Sequence, residues 1–156
     1  MSSLIYNYSY SIMAAMNTSL DKAIALATKA HKGKRYGDAP YVEHCRRVTQ
    51  KAAQLWNHPD VPIVAWLHDT VEDSDVTIRD IEREFGRAIA EAVNALTRRK
   101  SESYRDFINR AAAHPVACCV KIADLEVNLE ECRRNPKGNL IRRYEWALSY
   151  LKSVES

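Results

Sequence analysis

The sequence is poor in the residues that punctuate β structure. Its 156 residues include only four glycines, Gly33, Gly37, Gly86 and Gly138. That is too few for the tight turns of a sandwich or barrel, and no stretch sustains the period-two alternation of a half-buried strand. No CxxC or Cys/His finger spacing connects Cys45, Cys118, Cys119 and Cys132, which argues against a closed thiolate zinc site. Reduced thiols in a cytoplasmic protein fit the adjacent pair better than a disulfide frame does. No apolar run approaches the ~20 residues of a membrane span. Met1 to Ala15 carry no Lys or Arg, so the basic start of a secretory signal is missing. The net charge is only +3, from 23 Lys and Arg against 20 Asp and Glu. That balance suits a phosphate-bearing ligand and falls short of a nucleic-acid footprint.

What is present is helical periodicity. With 46% apolar residues the chain can bury one ordinary core, and it divides into an N-terminal extension over 1–17 and a single domain over 18–156. Leu20, Ala23, Ile24, Ala27 and Ala30/His31 repeat at helical spacing behind Thr18 or Ser19 as cap. Tyr41, His44/Cys45, Val48, Ala52 and Leu55 share one face of a second helix, with Pro40 in its first turn. Asp60 is expected to cap a third helix. Thr77 and Asp80 read as a capping box, Gly86 as a helix stop, and Ser101 as the cap of the helix bearing Tyr104, Phe107, Ile108 and Ala111. A long helix from Pro115 to about Asn135 and a last one through Leu140, Tyr144, Ala147 and Leu151 complete an all-α fold of about seven or eight helices.

Chemistry concentrates in Leu67-His68-Asp69-Thr70-Val71-Glu72-Asp73, behind the apolar run Ile63-Val64-Ala65-Trp66. On one continuous helix His68 and Asp69 would reach a shared ion from two directions, with Glu72 and Asp73 one turn further on. Carboxylates gathered at a helix C-terminus repel one another and meet the negative end of the helix dipole; a cation reverses that sign. His44 lies within an apolar stripe, where a histidine alone reads as a core residue. Asp124, with Lys121 and Asn128, lies on a core-facing stripe, where a carboxylate without a partner costs several kcal/mol. A helix–helix salt bridge would satisfy it, and so would a metal. Taken together, His44, His68, Asp69 and Asp124 offer two imidazoles and two carboxylates to a divalent ion such as Mn, Fe, Mg or Co.

These segments resemble the HD-domain metal-dependent phosphohydrolases, and within them the hydrolase domain of RelA/SpoT-type alarmone enzymes and their small stand-alone relatives. The resemblance is carried by Ala30-His31-Lys32-Gly33 with Pro40-Tyr41-Val42-Glu43-His44, by Leu67 to Asp73, by Phe85-Gly86 with Leu96-Thr97, and by Val120-Lys121-Ile122-Ala123-Asp124 with Asn128. Tyr144 and Ala147 echo the family's closing helix. The resemblance implies an HD-type helical fold, Mn²⁺ held by His44, His68, Asp69 and Asp124, and Glu72 and Asp73 assisting removal of the 3′-pyrophosphate of guanosine tetra- or pentaphosphate. It places Arg35 near the base, and Lys121 and Asn128 near the nucleotide. Two departures fall on the substrate side: the loop between His31 and His44 is about a residue short, and position 125 is Leu where the long enzymes carry Arg.

On this reading Glu72, or Asp73 through a water, orients the nucleophile or takes its proton, and Lys32, Lys34, Arg35 and Lys121 clamp the remaining phosphates. His31 is either a supporting group behind the ligands or a cap to the first helix. Two other readings compete: an HD hydrolase of a different nucleotide or phosphate ester, and a non-catalytic helical module whose His and Asp groups merely pair with Lys and Arg. Substrate assays separate the first, and metal analysis the second. Oligomeric state is not legible in the sequence.

Overall fold

The apolar periodicities become helices through most of residues 18–136 and 138–155, the span described by a computed structural model. The extension expected over 1–17 lies outside the described residues. Helix α1 covers 18–30 and buries Ala23 and Ala27 completely. The chain then reverses through a two-residue hairpin, β1 (Arg35–Tyr36) and β2 (Ala39–Pro40), antiparallel with Arg35 opposite Pro40. Sequence patterning predicted no strand here, because two residues per strand are too few to leave an alternation. Gly37 makes the turn at φ 57°, and a Cβ there would sit 2.6 Å from a carboxylate oxygen of Glu131. Pro40 lies in the hairpin with φ −58° and ψ 146°, one position before α2 and not inside its first turn.

Helix α2 (Tyr41–Leu55) buries Tyr41, His44, Cys45, Val48 and Ala52 along one face. Helix α3 (Asp60–Leu67) buries Val61, Ile63, Val64, Ala65 and Leu67, so it is apolar nearly all round. Such a helix can only be central, and α3 packs on α2, α6 and α8. Asp60 is its first residue and makes no side-chain cap; instead its N–H donates to Nδ1 of His58, 3.2 Å away. After the single turn α4 (Thr70–Asp73), Thr77 and Asp80 close a reciprocal capping box on α5 (Ile78–Phe85). Gly86, at φ 88°, both ends α5 and starts α6 (Arg87–Leu96).

The cap of α7 (Tyr104–Ala112) is Ser103, which accepts from the Asp106 N–H at 3.1 Å, and not Ser101. The segment before it is held by Arg110. Its guanidinium donates to the carbonyls of Asn94 (2.6 Å) and Thr97 (2.8 Å) and to both carboxylate oxygens of Glu102 (2.8 Å each). These bonds satisfy the open carbonyl end of α6. Arg110→Ala is expected to lower unfolding stability by about 1–3 kcal/mol near neutral pH. Arg110, first among several donors, holds the Glu102 carboxyl down to about 2. A depressed carboxyl stabilises the fold above its unfolded value, and that contribution fades as pH falls toward about 2. The gap between wild type and variant should therefore narrow on acidification, as urea unfolding at successive pH values would show.

Helix α8 (Pro115–Arg134) is the longest described, and α9 (Gly138–Glu155) packs along it. One apolar cluster gathers α1, α2, α3, α6 and the Val120, Ala123 and Val127 side of α8. A second gathers Phe107 and Ile108 of α7, Cys118, Ile122 and Leu125 of α8, and Ala147 and Leu151 of α9. Because α8 belongs to both clusters, its polar residues Lys121, Asp124 and Asn128 have little freedom to move. Eight helices of two turns or more, with one single turn and one small hairpin among the described residues, make an all-α fold. All four cysteines are buried and free, and no described helix is long and apolar enough to cross a membrane.

Candidate functional site

The helix that leads into the His-Asp pair does not continue through it. Helix α3 stops at Leu67, His68 still has helical angles, and Asp69 turns out at φ −105°, ψ 1° before α4 begins. The continuous helix expected from the apolar lead-in is thus broken at the pair itself. The break turns Asp69 back toward His68: its Oδ2 lies 3.0 Å from His68 Nε2. His68 Nδ1 faces the Ala65 carbonyl at 2.6 Å. Donation there places the proton on Nδ1 and leaves the Nε2 lone pair pointing into the pocket, the arrangement a metal-ligating histidine needs.

Three remote segments converge on this point. His44 Nε2, from α2, is 3.0 Å from Oδ1 of Asp124 on α8 and 4.0 Å from Oδ2 of Asp69. His68 Nε2 is 3.6 Å from the same Asp124 oxygen. Ligand atoms of His44, His68 and Asp124 all lie within 4.8 Å of one another, and all three residues are buried. Both Nε2 atoms lack a hydrogen-bond partner despite this proximity. Buried ring nitrogens without partners beside carboxylate oxygens are what a cation-binding cradle requires, so the residues fit a divalent ion. The acidic and basic groups of the cradle offset one another. Burial alone would raise the pKa of Asp124, but Lys121 and the two histidines hold it well below the usual carboxylate range. Burial would lower that of His68, and the Asp69 and Asp124 carboxylates instead lift it well above its ordinary value.

The remaining candidates divide into supports and rim. Lys121 Nζ donates to Asp124 Oδ2 at 2.8 Å, and Asn128 Nδ2 donates to Asp124 Oδ1 at 2.9 Å. The two residues expected near the nucleotide therefore orient the Asp124 carboxylate. Glu72 stands at the pocket edge and accepts from the backbone N–H of Arg98. Desolvation by its walls, assisted by Asp69, raises its pKa although the side chain still reaches solvent. Asp73 is paired with Lys34, whose ammonium also lies 3.9 Å from the centre of the Tyr41 ring. Lys32 is exposed on the same turn. Arg35 donates to the Asp38 carbonyl and, with Tyr36, Asp38, Asn128 and Tyr144, lines a cavity of about 480 Å³.

Two supporting residues escaped sequence reasoning. The Tyr41 hydroxyl donates to Asp69 Oδ2, and burial, then Asp69, pushes its pKa far above the ordinary tyrosine value. Its signal was its position three residues before His44 on one helix face. The Tyr36 hydroxyl donates to Asn128 Oδ1 at 2.9 Å, and its ring lies 4.4 Å from that of His44. Nothing in a loop sequence announces such a contact. Leu125, expected on the substrate side, is fully buried within the second apolar cluster.

Comparison with known proteins places this geometry. The model of the HD domain family matches residues 23–115. A guanosine-3′,5′-bis(diphosphate) 3′-pyrophosphohydrolase, MESH1, of Danio rerio is 30% identical over 85% of this chain and 82% of its own length. The Homo sapiens protein of the same name is 30% identical over 92% of this chain and 88% of its own. The solved structure of a metazoan ortholog of SpoT, described as hydrolysing ppGpp, superposes with a TM-score of 0.69 at 26% identity, covering 87% of this chain and 83% of that one. The family model covers more than half of the chain, and the two named relatives and the solved structure cover most of it, so the chain belongs to the HD domain family.

Proposed function

We propose that this protein is a metal-dependent phosphohydrolase that removes the 3′-pyrophosphate from guanosine 3′,5′-bis(diphosphate) or its pentaphosphate counterpart. The observation that carries the reading is the meeting of His44, His68 and Asp124, with Asp69 closing the fourth side. Relatives bearing that activity in their names match most of the chain. His44, His68, Asp69 and Asp124 would hold the ion, Mn²⁺ for preference, with two imidazoles and two carboxylates suiting a borderline metal. Bound there, it supplies Lewis acidity toward a phosphoryl oxygen and makes water more acidic.

The chain's own residues do the rest. Glu72, fixed by the Arg98 N–H and raised in pKa by its walls, takes the proton of the attacking water, and Asp73 stands beside it. Lys32 and Lys34 on the turn after α1 neutralise the phosphates, and Arg35 lies where the cavity bounded by Tyr36 and Tyr144 can receive the nucleoside. Lys121 and Asn128 hold Asp124 to its task from behind. Four free buried thiols fit a cytoplasmic setting.

With Mn²⁺ present, wild-type protein is expected to release pyrophosphate from guanosine 3′,5′-bis(diphosphate), and GTP or GMP to react far more slowly. Glu72→Gln should lower kcat by about 10²–10⁴-fold while metal content stays at the wild-type level. Equal rates on the ordinary nucleotides would move the reading to another phosphate ester. An active Glu72→Gln variant would remove the proton-accepting role assigned to it.

A further inference from the structure

One buried ring beside the site has no task so far. His31 follows the end of α1, is 3% exposed, and neither of its ring nitrogens has a hydrogen-bond partner. A buried polar atom left without a partner costs about 1–3 kcal/mol, so histidine is a poor choice where only packing is needed. Its surroundings are those of a working group. The ring lies on Tyr41 with centroids 4.6 Å apart, and Tyr41 donates to Asp69. Its Nδ1 lies 3.4 Å from Oδ2 of Asp73, the oxygen that Lys34 holds as well. Oδ1 of Asp73 carries no hydrogen bond or ion pair among the described residues.

We propose that His31 is a positioning residue for hydrolysis: its Nδ1–H and the Lys34 ammonium grip one oxygen of Asp73 and leave the other to the reacting water. The inference rests on the functional reading above, in which Asp73 borders the chemistry. The tautomer follows from the surroundings. A buried N–H without an acceptor is rarer than a buried acceptor without a donor, so the proton belongs on Nδ1, where Asp73 can accept it. The charged or titratable groups that face the ring are Asp73, Asp69, Lys34, His68 and Tyr41, whose ring lies against it. Burial outweighs the two carboxylates and lowers the pKa of the ring, which suits a neutral donor to Asp73. The 3.4 Å separation is long for a hydrogen bond, as such contacts often are before substrate tightens them.

The test uses the full-length, metal-loaded protein. His31→Phe keeps a ring against Tyr41 and removes the donor. It is expected to lower kcat on guanosine 3′,5′-bis(diphosphate) by about 10–100-fold, the scale of losing an outer support, with KM and metal content unchanged. In an Asp73→Ala background the same change should lower the residual rate no further, because the carboxylate it holds is gone. Independently of turnover, long-range ¹H–¹⁵N spectra should show the His31 proton on Nδ1, with a resonance that moves in Asp73→Ala. A proton on Nε2, an equal loss in both backgrounds, or metal content falling in step with kcat would overturn the proposal. Failure of the wild type to hydrolyse the nucleotide would count against the functional reading, whereas the spectra judge the His31–Asp73 pairing alone.

Discussion

Asp69→Ala is expected to abolish metal-dependent turnover, by at least about a hundredfold on the scale set by weaker supporting contacts, while the helical fold survives. The residue is half-buried at the junction of α3 and α4, where it belongs to neither apolar cluster. Its loss therefore opens no core cavity. What it does remove is the oxygen 3.0 Å from His68 Nε2 and 4.0 Å from His44 Nε2. The Tyr41 hydroxyl that donated to it is then left against an empty position. A site reduced to His44, His68 and Asp124 has one charge fewer for a doubly positive ion and one coordination position more for water. Metal content per chain, circular dichroism and pyrophosphate release, measured on one preparation, check the three parts of this expectation. A variant that keeps both its metal and its rate would show that Asp69 is not a ligand.

Lys121→Met should act on stability, and the size of the effect should depend on the ion. The Lys121 ammonium lies 5.0 Å from the Phe107 ring and donates to Asp124 at 2.8 Å. Burial would pull its pKa down, but Asp124 foremost holds it raised, so it stays charged. Methionine has similar length and no charge. Breaking a buried pair from one side costs about 3–5 kcal/mol, because the remaining charge loses its partner. In chelator-treated protein Asp124 would keep only His44, His68 and Asn128, and the full deficit should appear in urea unfolding. With excess Mn²⁺ the ion itself balances Asp124, so the deficit should shrink and the variant should gain more from the metal than wild type does. Equal deficits in both conditions would mean that Lys121 is not the charge partner of Asp124.

The sequence made the candidate ligands His44 and Asp124 legible for a physical reason: polar residues on apolar helical stripes are costly, and each of the two violates an otherwise regular pattern. The His-Asp pair stood out by its acidic crowding. The break between His68 and Asp69 did not, since no glycine or proline between Ile63 and Asp73 marks it. Nor did the hairpin, which needs only Gly37 and two residues on each side. Arg110 escaped because its three acceptor residues all lie eight to sixteen positions away, and two of them offer main-chain carbonyls that any residue would provide. Ser101 and Ser103 both precede the same apolar helix. What selected Ser103 was Asp106 three residues on, which accepts from its hydroxyl at 2.6 Å.

The sharing of α8 between the two apolar clusters bears on how small an active fragment can be. The region matched by the family model ends at residue 115, where α8 has only begun. A chain trimmed there would retain His44, His68 and Asp69 but lose Asp124 and both side chains that steady it. Trimming after α8 would strip Ala147 and Leu151 from the outer cluster and expose the back of the helix that carries Asp124. The pocket is therefore braced from both clusters, and α9, though it contributes none of the four side chains around it, supports the helix that carries Asp124.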